Sequence, residues 1–152
     1  MRFWMILACA AMFSASVQPG SAQELVFSPA ATEACLAEGP NQWDRRVCVG
    51  ASAQACMQNT AGGQTTVGMG GCLSAEHDYW DARLNSVYSA MIASARATDA
   101  EMAQAGAAHI SEEAAMRAMQ RAWIAFRDAR CDFEYSQWGG GTGGGPALAG
   151  CM

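Results

Sequence analysis

The sequence contains no lysine, and its 152 residues carry only nine arginines and two histidines. Without lysine, the glycine run "GGGTGGGP" at 139–146 cannot end as the Gly-Lys-Ser/Thr of a phosphate loop. It reads as a flexible loop. Fourteen Asp plus Glu against nine Arg leave a formal charge of −5. That balance excludes nucleic acid and anionic membrane as natural partners, since both call for clustered cations. A basic protein partner fits it better. Closely spaced cysteines are also missing: no pair is nearer than C-x7-C, so zinc-ligand spacing is absent. The two histidines, His77 on an apolar stripe and His109 in a turn, have no nucleophile beside them in sequence. No alternating pattern lasts long enough for a sheet. No apolar run is long enough to span a bilayer as a permanent helix.

What is present begins with an export signal over residues 1–22. Arg2 supplies the positive start, "FWMILACAAMF" the apolar core, and "GSA" the small residues for cleavage after Ala22. Cys9 invites a lipoprotein reading, but Leu7 and the short apolar run before it argue against lipidation. Removing the signal leaves six cysteines, Cys35, Cys48, Cys56, Cys72, Cys131 and Cys151, and eight Arg against 14 acids, 8 − 14 = −6. An even set in an exported chain reads as three disulfides and places the protein in the periplasm or outside the cell. Ten methionines suggest a copper carrier, yet Met91, Met116 and Met119 sit at core spacing and read as packing. No cofactor or metal is expected.

The expected class is all-α: a small disulfide-stapled domain on an antiparallel hairpin of two long helices, with short N-terminal helices. Residues 23–55 form a cysteine-bearing extension. In it Ser28 and Pro29 mark one helix start and "NQWDRRVCVGASAQACMQN" a second short helix, which "TAGGQTTVGMGG" breaks. From Cys72 the stripe Leu73, His77, Trp80, Leu84, Val87 and Met91 steps by 4, 3, 4, 3, 4 and predicts a helix to about Arg96. "TDAE" from Thr98 is a capping box that predicts a short helix to about Ala108. Ser111 caps the last helix, with Glu112 and Glu113 in its first turn and the stripe Met116, Met119, Trp123, Phe126, Arg130, Phe133.

Folding back to bury those stripes sets the helices antiparallel. Gln120, Trp123, Arg127 and Cys131 then share a face opposite Glu76, Trp80, Asp81, Leu84, Asn85 and Tyr88. The expectation is Trp123 on Leu84 and Tyr88, Arg127 on Glu76 or Asp81, and Gln120 near Asn85. An Arg fork on a carboxylate is an architectural pair. Glu76 and Asp81 as a catalytic couple fit poorly, because a five-residue offset turns them about 140° apart on one helix. The protein is not expected to be an enzyme. The hairpin also brings Cys72 within reach of Cys131, so geometry alone leaves the pairing open.

"CLSAEHDYWDARLNSVY", then "AMQRAWIAFRDARC", then a glycine-rich loop ending in Cys, resembles the LprI-type domain, a family named for a bacterial lysozyme inhibitor. The motif residues are Cys72, Glu76, Asp81, Leu84, Asn85 and Tyr88, followed by Gln120, Trp123, Arg127, Asp128 and Cys131, with Cys151 completing the frame. The resemblance covers about residues 56–152. It implies a small helical exported domain that binds and inhibits lysozyme-type muramidases without catalysis. It also implies the pairs Cys56–Cys72 and Cys131–Cys151, leaving Cys35–Cys48. The alternative function is a helical interaction module of the cell envelope with no effect on lysozyme. Family members usually continue past the last Cys with another helix, whereas this sequence stops at Met152, so a shortened C terminus is part of the expectation.

Overall fold

The computed structural model describes residues 24–39 and 44–152; the expected export signal and Cys9 lie outside the described residues. Five α-helices follow one another without a strand among the described residues. They are α1 (Ala30–Glu38), α2 (Ala51–Asn59), α3 (Thr66–Gln104), α4 (Glu112–Ser136) and α5 (Gly144–Cys151). A 3-10 turn at Asp44–Cys48 joins the first two. At 1.5 Å per residue, α3 is about 58 Å long and dominates the molecule. α4 folds back along it.

α3 differs from its sequence reading at both ends. It starts at Thr66, capped by the Thr65 hydroxyl, which accepts from the Gly68 amide at 3.1 Å. The segment "VGMGG" is therefore helical and not a break. Gly68 is required there by close approach, because a Cβ would strike the Gly62 carbonyl and the backbone of Gly63. At the other end the helix runs through Thr98, whose hydroxyl donates to the Ser94 carbonyl instead of opening a new helix. The capping box is present in sequence but unused.

The base of the molecule is where the small elements gather. α2 and α5 pack on the N-terminal half of α3, where Gly68, Cys72 and Glu76 are buried. Three disulfides, Cys35–Cys48, Cys56–Cys72 and Cys131–Cys151, all lie at this end. α5 touches both long helices, so Cys131 on α4 meets Cys151 there, while Cys72 meets Cys56 on α2. The glycine run is not a free loop. α4 ends at Ser136, and by Gly144 the chain is helical again, with Trp138 folded back onto Gly143. A Cβ at Gly143 would enter the Trp138 ring, so that glycine serves packing.

The apolar stripe of α4 points outward, contrary to its reading as core. Met119, Phe126 and Phe133 are 62, 67 and 66% exposed, and Trp123 is 42% exposed. On α3, Val87 and Met91 are exposed as well. These methionines are therefore not core filler. In the outer half of the hairpin the buried residues of α3 are Ile92 and Ala95.

Candidate functional site

Glu76 is the polar centre of the base. It is 3% exposed, and its carboxylate accepts four hydrogen bonds. Oε1 takes the Thr32 hydroxyl at 2.8 Å, the Gly50 amide at 3.0 Å and the Trp80 indole at 3.2 Å. Oε2 takes the Ala53 amide at 2.6 Å. Gly50 and Ala53 are the first turn of α2, which has no side-chain cap of its own. Glu76 is thus a cap supplied from α3, an anion at a helix N-terminus. Thr32 and Ser52 close the network: each hydroxyl accepts the other's amide, at 3.0 and 3.1 Å. With four donors on its two oxygens, Glu76 holds α1, α2 and α3 together.

The motif residues of the second helix do not reach Glu76. Arg127 instead turns to its neighbour Asp128, with Nε at 2.9 Å and Nη2 at 2.6 Å from Oδ1. Its guanidinium sits 5.2 Å from the Trp123 ring centroid, a cation–π stack. Asp81 is taken by Asn85 at 2.8 Å, one turn along α3. The expected Arg–carboxylate bridge between helices is replaced by local pairs. Trp123 and Leu84 do share a cavity of ≈ 230 Å³ with Trp80, Asp81 and Arg127. Tyr88 and Gln120 are half-buried in their helices. His77 rests beside Asp78 at 3.5 Å.

At the far end of α3, Asp99 repeats the device of Glu76 in a wetter setting. It accepts the Ser111 hydroxyl at 2.7 Å and the Glu112 and Glu113 amides at 2.8 and 3.2 Å, closing the N-terminus of α4. Ser111 adds its own cap on the Ala114 amide at 3.1 Å. The Ser111 hydroxyl, followed by the Glu112 amide, holds the Asp99 carboxyl below its ordinary range. Glu113 is lowered too, chiefly by hydrogen bonds from Arg96 at 2.9 Å and Arg117 at 2.8 Å. His109 approaches Asp99 at 3.4 Å. Asp, His and Ser meet here, but the Ser111 hydroxyl donates to Asp99 and not to His109, so no imidazole stands on the hydroxyl. The group caps a helix. Ser111 was legible as a cap; Asp99, Thr32 and Ser52 carried no sequence signal strong enough to name their partners.

Between these anchors, residues 105–110 form an exposed turn, with Ile110 87% exposed at its end. Among the described residues no helix is long and apolar enough to cross a membrane. Among them, too, no group of three His, Cys, Asp or Glu is placed to hold a metal ion.

No solved structure matches this chain. An uncharacterized protein of Rhizobium meliloti (strain 1021) is 34% identical over 82 residues, 53% of this chain and 59% of that protein. An uncharacterized 17.7 kDa protein in the puhA 5′ region of Rhodobacter capsulatus is 29% identical over 106 residues, 68% of this chain and 64% of the other. The chain therefore spans roughly three-fifths of each curated relative it matches. The sequence profile described as lysozyme inhibitor LprI matches residues 56–152, from the cysteine on α2 through the whole hairpin and α5. With that match over more than half its length, the chain belongs to the lysozyme inhibitor LprI family.

Proposed function

We propose that the protein is exported and acts as a non-catalytic inhibitor that binds lysozyme-type muramidases. The observation that carries this reading is the family match over residues 56–152. The three disulfides suit an oxidising compartment, periplasmic or extracellular. The acidic formal charge of −5 suits encounter with basic lysozymes.

The structure narrows the choice of inhibitory element. An inhibitor that enters a cleft needs a projecting segment. Trp138 and Tyr135 pack on Gly143 and Gly144, and Cys151 ties down the end of the run, which leaves its exposed part, 139–142, little reach. The turn at 105–110 projects from the end of a hairpin and is exposed throughout. It is our assigned plug.

The test is muramidase activity with the oxidised protein added, on a c-type lysozyme and a bacterial muramidase, at low and high salt. Saturable inhibition that weakens with salt is expected, and replacing residues 105–110 by a short Gly-Ser turn should remove it. Absence of inhibition by folded, fully oxidised protein would sink the reading and leave an envelope interaction module. Full inhibition by the turn variant would move the plug elsewhere.

A further inference from the structure

The outward side of α4 is its apolar side. Ala115, Met119, Ala122, Phe126, Ala129 and Phe133 step by 4, 3, 4, 3, 4 and all are exposed. Cys131, Gln120 and Arg127 lie on the other side, toward the body. Each large exposed side chain leaves on the order of 100 Å² uncovered, given ~150–250 Å² for an aromatic. With the alanines the strip is roughly 500–600 Å², the upper end of what a monomer shows. Two such strips face to face would bury about 1,000–1,200 Å², where specific interfaces begin.

The strip also carries its own charge complement. Glu112 and Arg130 are exposed and lie on the same line of α4, eighteen residues or five turns apart, one at each end. We propose that α4 is a self-association surface on which a second copy docks antiparallel, across a two-fold axis near Arg121. That axis sets each Arg130 against Glu112 of the other copy. Met119 then faces Ala122, and Phe126 lies over Ala115, whose small side chain makes room for the ring. The contact is isologous and closes on itself. A strip with an acid at one end, a base at the other and apolar residues between fits its own reverse, which is why a second copy is the occupant.

Sedimentation equilibrium on the oxidised protein over a wide concentration range tests this, with no muramidase present. A monomer–dimer equilibrium is expected. Phe126→Asp should raise the dimer Kd at least about tenfold, with unchanged helix content, because Phe126 is 67% exposed. Arg130→Glu should weaken the dimer several-fold, and adding Glu112→Arg should restore it. A monomer at every concentration would overturn the proposal, as would a dimer indifferent to Phe126→Asp. Monomeric protein whose binding to a muramidase is lost with Phe126→Asp would assign the face to that partner instead, which also overturns it. Failure of the dimer leaves the inhibition assay untouched.

Discussion

Glu76 and Asp99 stand roughly 35 Å apart along α3, and each caps a helix that cannot cap itself as well alone. Their surroundings differ. Glu76 is 3% exposed and tied to α1, α2 and Trp80, in the end that holds all three disulfides. Asp99 is partly open to water and works through Ser111 and two amides beside an exposed turn. One carboxylate is committed to holding the fold, the other to aiming a hairpin. The same chemistry thus serves rigidity at one end and presentation at the other.

The comparison breaks most sharply at Glu76. Glu76→Ala strands the buried Thr32 hydroxyl and Ala53 amide away from water and removes the acceptor of the part-buried Gly50 amide and Trp80 indole. A loss of about 3–5 kcal/mol is expected in denaturant unfolding. A loss under about 1 kcal/mol would show that the base does not depend on its polar centre. Removing one disulfide comes next. Cys56→Ser with Cys72→Ser opens a loop of 16 residues, for which chain entropy gives about 3 kcal/mol. Inhibition, if it resides in the turn, should survive both changes wherever the protein stays folded.

Much of this architecture was legible and part of it was not, for physical reasons. Period-3.6 stripes revealed two long helices, and their short connection required a hairpin. Periodicity says that a helix has an apolar side; it does not say which way that side points. Phe126 and Phe133 therefore read as core, although they lie exposed on the side of α4 away from Cys131. Local capping signals failed at Thr98 for a related reason: the residue after it, Asp99, caps a different helix. Glu76 was visible as a motif residue, but its partners lie up to 44 positions upstream, beyond any local pattern.

Trp123 sharpens the same point at smaller scale. A buried Trp replaced by Ala costs about 3–5 kcal/mol. Trp123 is 42% exposed and stacked under Arg127, so Trp123→Ala should cost about 1–2 kcal/mol. Thermal unfolding decides it. A cost in the full core range would mean that the indole plugs the cavity beside Leu84 more completely than its exposure indicates.

The smallest effect belongs to Asp99, and it depends on pH. Both Asp99 and Glu113 have folded carboxyls held below their ordinary values. A depressed folded pKa means that the unfolded chain binds the proton more readily, so stability rises with pH across that interval. The contribution is complete above the ordinary carboxylate range and is lost as pH falls through the lowered folded values. Because the groups are open to solvent, the effect is local and screened by salt. Acidification should therefore fray the first turn of α4. Protection factors for the Glu112 and Glu113 amides against those of Gly50 and Ala53 measure the two ends in one experiment. Asp99→Asn should reduce protection at Glu112 and Glu113 at neutral pH and flatten its acid dependence, leaving Ala53 unmoved. Loss of protection at Gly50 and Ala53 in Asp99→Asn would mean that the two caps share one cooperative unit, and the division between a rigid base and a separately held turn would fail.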